Sequence, residues 1–427
     1  MAATPISLWD ASSEETDRES TFSAGSHADI AIVGGGFTGL STALHCAQSG
    51  LNAQVLEAEQ LGFGGSGRNC GLVNAALWLP PQIVREKLGT TYGPRFIEHF
   101  GNAPEYVFSL IEKHQMRCEV TRTGTIHAAH SWKGFEELRE RHKEWTRLGK
   151  PVDLIDREQV TEMIGTDHFH GGLLDHRCGT INPMGYCRGL ARAADGAGAS
   201  ISTGVRVTNL VRQNGQWLIE TNQGSMTAKS VVLGTNAYTD KLWPGLNKVF
   251  TPIHYFQLAS SPLGAEANHI LPGKQGLWDT GKIMFNIRRD SANRLLVGSM
   301  GKVVGTKDKG LSQRWATKQI KRIFPELGHE LGDIQFEEAW HGQIAMTPDH
   351  LPRIYELDEN LFTPIGYNGR GITTGTIFGK AMAELLTGMD RQDLPLPISK
   401  LTTVASAPLM SRLYQTAFTA NQILKSI

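Results

Sequence analysis

Apolar and polar positions change their period repeatedly along the chain, and each change marks an element. Residues 29–33, Asp-Ile-Ala-Ile-Val, form a short apolar run ending at Gly34, the pattern of a buried strand. Helical spacing of apolar residues follows over 39–49, and a second apolar run at 53–56 predicts another strand. Longer helical patterns cover 92–115 and 133–148, the latter with charges on most exposed positions. Asp156 reads as the N-cap of a short helix to Met163, and Asn182-Pro183 opens a helix over 183–197 with Asn as cap and Pro first. Strand-like segments follow at 200–211, 216–221 and 227–233. Residues 250–300 alternate as antiparallel strands do, at 253–258, 283–289 and 294–298. A helix at 312–324, a strand segment at 334–345 and a glycine-rich turn at 366–371 opening a helix to about 386 complete the pattern.

The first of these transitions carries chemistry. Gly34, Gly36 and Gly39 stand in the order G-x-G-x-x-G between the strand and the helix. Gly34 permits the tight turn, Gly36 lets a pyrophosphate approach the backbone, and Gly39 lets the helix pack on the sheet. Phosphates would rest at the helix N-terminus. Glu57 ends the second strand 23 residues after Gly34, where an acid accepts hydrogen bonds from a ribose and repels a 2′-phosphate. The spacing points to a dinucleotide and leaves NAD, NADP and FAD open.

Composition narrows the setting. The 427 residues suffice for two or three domains, and 42 basic against 42 acidic residues exclude a general attraction to nucleic acid or anionic lipid. No apolar run predicts a membrane span. The polar segment 1–28 reads as a partly ordered arm without the apolar stretch of a secretory signal. Cys46, Cys70, Cys118, Cys178 and Cys187 are scattered without a C-x-x-C pair, as expected of a reducing, cytoplasmic protein. The histidines form neither H-x-x-x-H nor H-E-x-x-H, so no metal site is expected.

Nucleotide-binding pieces lie at both ends and in the middle, whereas a simple dehydrogenase usually keeps them in one block. The predicted fold is α/β plus α+β: a Rossmann-like FAD-binding domain with an inserted antiparallel-sheet substrate domain. The expected boundaries are an arm at 1–28, the FAD-binding domain at 29–90, 179–245 and 335–427, and the substrate-binding domain at 91–178 and 246–334.

Several separated motifs then match one family. The chain resembles FAD-dependent amine and amino-acid oxidases of the D-amino-acid oxidase, glycine oxidase and sarcosine oxidase type, closest to the gamma-glutamylputrescine oxidoreductase branch. The likeness rests on Ser7-Leu8-Trp9, on residues 34–41, on Gly65-Ser66-Gly67-Arg68-Asn69, and on the strand bearing Val207. It extends to residues 231–239, Trp340-His341-Gly342 with Thr347-Pro348-Asp349, and the turn 366–371. Cys70 departs from the expected glycine and reads as packing, and the oxygen-activating lysine of sarcosine oxidases has no clear counterpart, Lys282 being only in the right region.

The resemblance implies FAD as cofactor and hydride transfer to flavin N5 from the carbon beside an amine nitrogen. The imine product would hydrolyse, with O2 or another acceptor reoxidising the flavin. A dehydrogenase of a 2-hydroxy or imino acid using a quinone or carrier is the alternative. Expected cofactor contacts are Gly34, Gly36, Gly39, Glu57, Ser66, Arg68, Asn69, Val207, Gly369, Arg370, Gly371 and Ile372. His254 and Tyr255 are adjacent on a strand, so only one can face a pocket; the same holds for Arg288 and Arg289. His254, Tyr255, Arg288 and His341 are the catalytic candidates, Arg288 as a carboxylate clamp, with Trp78 and Trp340 as candidate walls.

Overall fold

The structure, a computed structural model, describes residues 6–18, 20–305, 310–325 and 334–426, with only the backbone of Glu266. Among these residues the chain builds a nine-stranded sheet, an eight-stranded sheet and a two-stranded ribbon.

The nine-stranded sheet is parallel at its centre, where Ser200–Ser202, Ala53–Leu56, His27–Val33, Gly224–Leu233 and Leu361–Ile365 lie side by side. Both faces of the central strand are covered, which explains its unbroken apolar run. Ile30 and Ile32 face a core shared with the helices Phe37–Gln48, Pro183–Gly196 and Gly371–Leu386, while Ala31 and Val33 face a core with Trp217 and Ile219 of the antiparallel strand Gln216–Thr221. Val33 pairs with both Leu56 and Leu233, so three strands end level. Gly34, Glu57 and Gly234 therefore rim one crevice at the carboxyl ends of the strands, where ligands of such sheets bind.

The eight-stranded sheet runs in the order Phe336–Met346, Thr251–Pro262, Arg294–Met300, Phe285–Arg289, Gly276–Asp279, Thr125–Ala128, Gly172–Asp175, Val152–Ile155. Only the pair Gly276–Asp279 with Thr125–Ala128 is parallel. Phe256, Leu258 and Ile287 pack with Trp315 of the helix Leu311–Ile323. Tyr255, Gln257 and Asn286 alternate onto the opposite face, toward the crevice.

Three expectations change. The helix expected over 92–115 is two, Pro81–Gly101 and Ala103–Lys113. Pro104 has no N–H and would clash one turn back, so the chain breaks at Asn102 and restarts with Pro in the first turn. The first helix is itself kinked at Gly89, whose φ is 70°.

The expected boundaries shift as well. Strand Phe336–Met346 pairs along Thr251–Pro262, and the helix Ala407–Leu424 bonds to that strand through Ser411 Oγ and the Pro252 carbonyl. Both sit with the eight-stranded sheet and not with the nine-stranded one, as the expected domain at 335–427 would have them. Conversely, Phe96, Phe100 and Val107 pack in the core of the nucleotide sheet, with Phe100 and Phe378 centroids 5.2 Å apart. Part of 91–178 thus packs with the nine-stranded sheet.

The third change concerns the arm. Residues 7–17 are docked: Trp9 is fully buried, Arg188 pairs with Asp10 and Asp17 at 2.6 and 2.7 Å, and Arg192 pairs with Glu15 at 2.8 Å. The acids that made the segment look solvated neutralise two helix arginines, Arg188 buried and Arg192 a third exposed. No helix among the described residues is long and apolar enough to cross a membrane.

Candidate functional site

The glycine turn is built for close approach. Gly34 has φ 108°, which disfavours any side chain there. A Cβ on Gly39 would lie 2.0 Å from the Gly34 carbonyl oxygen and 3.1 Å from Ile32, so only glycine lets the helix start against the strand. Gly36 is pressed by the next loop: a Cβ there would stand 2.8 Å from Ser66 Oγ, which accepts the Phe37 N–H at 3.1 Å. Glu57 accepts the Gly35 and Glu59 N–H groups at 2.6 and 2.9 Å, although burial pushes its carboxyl up.

From this turn a cavity of about 1140 Å³ extends in both directions. One end is lined by Glu57, Glu59, Val205 and Val207, the middle by Gly34, Gly36, Thr38 and Ser66, and the far end by Gly369, Arg370, Gly371 and the face of the eight-stranded sheet. The volume exceeds the about 300–1,000 Å³ of common small-molecule pockets. The order matches an FAD read from adenosine to flavin: an acid at the ribose end, a helix N-terminus at the pyrophosphate, and the turn before Gly371–Leu386 at the ring. The residues present therefore fit the expected cofactor, with Ile372 buried behind the turn rather than lining it.

The loop 65–71 is held by a row of indole and hydroxyl donors. Ser7 Oγ donates to the Gly67 carbonyl at 2.7 Å, Trp340 Nε1 to Arg68 at 2.8 Å, and Trp9 Nε1 to Asn69 at 2.8 Å. Arg288 continues the row onto Cys70, Gly71 and Ile181, at 3.3, 3.3 and 2.7 Å. Asn69 spends its amide inside the loop, donating to Gly65 and Ser66 and accepting from Gly71. Arg68 donates to the carbonyls of Phe63 and His341 and stacks on Phe63. Of this group, Phe63, Gly65, Ser66, Asn69 and Cys70 reach the cavity wall, and Arg68, expected to touch the cofactor, does not.

The catalytic candidates divide sharply. Tyr255 lines the cavity; its hydroxyl is buried without a partner, and burial pushes the phenol well above its ordinary range, so it is a donor and not a base. Gln257, two residues on, also has its whole amide buried and unpaired. His254 lies on the other face of the strand, 6.1 Å from His341 between ring centroids. Burial pulls His254 down to about 4, with Lys302 and His341 adding to the shift, and burial lowers His341 too. Neither imidazole nor Arg288 lines the cavity. His254 and His341 are off-site, and Arg288 is a loop support rather than a substrate clamp. His254→Gln is accordingly expected to leave kcat/KM within about threefold, as surface changes away from a site do. A larger fall in a steady-state assay would return His254 to the active site.

Sequence reasoning passed over several wall residues. Trp278 and His127 stack with centroids 3.4 Å apart, and Trp278 meets edge-on, at 5.8 Å, the expected wall Trp78; the other expected wall, Trp340, is not on the cavity. Tyr414 and Phe418, from the helix Ala407–Leu424, line the far end. Only side-chain alternation on the strands Thr125–Ala128 and Gly276–Asp279 could have drawn attention to His127 and Trp278, and their pairing is not local. The five cysteines all stand as free thiols.

Known proteins resemble this chain in sequence and fold. The sequence pattern of a family described as FAD dependent oxidoreductase matches residues 29–385. A probable oxidoreductase OrdL from Rhizobium meliloti is 31% identical over 84% of this chain and 83% of its own. Gamma-glutamylputrescine oxidoreductase from Escherichia coli is 30% identical over 84% of both chains. Glycine oxidase from Geobacillus kaustophilus superposes with a TM-score of 0.71 at 19% identity, covering 88% of this chain and 99% of that one, a likeness of fold.

Proposed function

The chain belongs to the FAD-dependent oxidoreductase family, and from that premise we propose that it oxidises the CH–N bond of a small amine, N-substituted amino acid or amino acid. The names of its relatives, an oxidoreductase of gamma-glutamylputrescine and a glycine oxidase, support an amine or amino-acid substrate. The observation that carries the reading is one continuous cavity joining the dinucleotide turn to a chamber under the antiparallel sheet, where Tyr255 and Gln257 hold unsatisfied polar groups.

Bound FAD supplies the hydride acceptor, at flavin N5, for the carbon beside the amine nitrogen. The chain's own residues position and exclude. The aromatic walls shield the reacting carbon from water, and the phenol of Tyr255 and the amide of Gln257 orient polar atoms of the substrate. The N-terminus of Gly371–Leu386 opens at the cavity wall and would offer its N–H groups to a flavin ring that takes up negative charge. An imine product hydrolyses to a carbonyl compound, with O2 as the proposed final acceptor and the cytoplasm as the proposed compartment. Hydride transfer needs the amine neutral, so the ammonium proton leaves to solvent before that step, and no described cavity residue identifies itself as an essential base.

Anaerobic mixing of the holoenzyme with a panel of amines and amino acids tests this. One or more should bleach the flavin band near ~450 nm, and readmitted air should restore it with peroxide. Bleaching with slow reoxidation would leave the substrate class and replace O2 by a quinone or carrier. Bleaching by 2-hydroxy acids alone would sink the amine reading.

A further inference from the structure

The helix Ala407–Leu424 is turned inside out. Its inner side carries polar groups. Ser411 Oγ donates to the Pro252 carbonyl at 2.7 Å, and the fully buried Gln422 accepts Ser312 Oγ at 2.9 Å and donates to the Lys302 carbonyl at 3.1 Å. Its outer side carries leucines. Leu409, Leu413 and Leu424 are 61, 54 and 73% exposed, with Thr416, Ala417 and Ala420 exposed between them on the same face. Of the eight large hydrophobic side chains exposed among the described residues, six lie between Leu401 and Leu424. Single exposed leucines need no explanation, but a cluster of them marks a contact surface. The helix lies beyond residues 29–385, which match the family, so this surface is no part of the matched pattern.

The charges carried by the segment have one sign. Residues 394–427 contain Lys400, Arg412 and Lys425 and no aspartate or glutamate, although basic and acidic residues balance over the whole chain. Lys400 and Arg412 are exposed, whereas Lys425 is half-buried and its charge reaches the buried side of Asp279. Lys248, also exposed, is brought alongside, because its carbonyl accepts the Val404 N–H at 2.7 Å. The helix Leu311–Ile323, joined to this one through Ser312, adds the exposed Arg314 and Arg322 and likewise contains no acid.

A leucine stripe flanked by cations complements a surface that is both apolar and negative. An anionic lipid bilayer is such a surface: leucines enter the headgroup boundary while lysine and arginine beside them meet lipid phosphates. Nucleic acid offers the charge without an apolar layer. A second copy of the chain offers the apolar layer but adds cations and no acids. We propose that the outer face of Ala407–Leu424 docks the protein onto an anionic bilayer surface. Attachment is peripheral, since the inner side of the helix is bonded to the protein and no described helix is apolar enough to span. Tyr414 and Phe418 of the same helix line the far end of the cavity, so docking sets that end beside the lipid.

The test is co-sedimentation of holoenzyme with vesicles of phosphatidylcholine alone and of phosphatidylcholine mixed with phosphatidylglycerol. Wild type should bind the mixed vesicles at least about tenfold tighter, and added salt should weaken that binding by screening each cation. Leu409→Ser with Leu413→Ser leaves the charge unchanged and should weaken binding to the mixed vesicles at least about tenfold. Lys400→Gln with Arg412→Gln should shrink the preference for the mixed vesicles over the neutral ones. None of these four residues lines the cavity, so each variant should carry as much flavin as wild type. The proposal is overturned if wild type ignores both vesicles or binds both alike, or if the serine pair binds as tightly as wild type. It is also overturned if sedimentation velocity without lipid shows a dimer that the serine pair dissociates, which assigns the face to a second copy. Should the serine pair fail to fold, the glutamine pair decides alone: an undiminished preference for the mixed vesicles overturns the proposal.

Discussion

Gly39→Ala is expected to yield protein without FAD. The added Cβ would lie 2.0 Å from the Gly34 carbonyl oxygen, a backbone atom that no rotamer change can move aside. The helix Phe37–Gln48 would have to retreat from the strand. It cannot do so cheaply, because on its other side a Cβ at Gly379 would already stand 2.4 Å from Ser41. Overpacking of this kind costs about 1–3 kcal/mol or more. The larger loss is in binding, since the same shift displaces the N–H groups that meet the pyrophosphate. Flavin content per protein, read from the visible and ultraviolet bands, should fall at least about tenfold, the equivalent of about 1.4 kcal/mol. Gly35→Ala is the informative control. Its Cβ would meet Leu61 Cδ2 at 2.8 Å, a methyl that can turn away, and Glu57 Cβ at 3.1 Å, a side chain that can give by a few tenths of an ångström, so it should lose less flavin than Gly39→Ala. Full FAD occupancy in Gly39→Ala would refute the close-approach account.

That contrast also marks what a reader of the sequence can and cannot obtain. Gly34, Gly36 and Gly39 were legible because their demands are local: a turn, a contact one helical turn away, a strand just before. The same holds for the caps at Asp156 and Asn182, both of which accept the expected backbone N–H at 2.9 and 3.0 Å. Alternation on one strand correctly forced a choice between His254 and Tyr255, but not which one faced the crevice. That depends on the pairing of Thr251–Pro262 with Phe336–Met346, which brings residues about ninety apart into register. Arg288 looked like a ligand clamp because an arginine in a strand needs an anion. Nothing in the sequence says that three carbonyls of a distant loop would serve instead. Arg370 groups with the cofactor turn by its neighbours in sequence, and only the three-dimensional approach of Trp78 and Trp278 shows what its guanidinium rests against.

Trp9→Ala should be the most damaging single change outside the cofactor turn. The indole is fully buried, packs edge-on against Trp340 with centroids 6.0 Å apart, and carries the Arg288 guanidinium 5.0 Å from its ring centroid. Truncating a buried tryptophan to alanine costs about 3–5 kcal/mol. Here the damage has a direction. The Asn69 carbonyl loses its donor, Arg288 loses the surface it rests on, and both hold the loop that brings Ser66 to the helix N-terminus. The variant should therefore unfold at lower temperature and also release FAD before it unfolds, two events expected to coincide in wild type. Trp9→Phe separates the causes: it keeps most of the packing and removes only the N–H, a loss of about 0.5–1.5 kcal/mol. Flavin fluorescence and circular dichroism followed together through a thermal ramp would read both. If Trp9→Ala lowers the unfolding temperature but keeps flavin release and unfolding coincident, the arm stabilises the protein as a whole and does not act on the flavin loop.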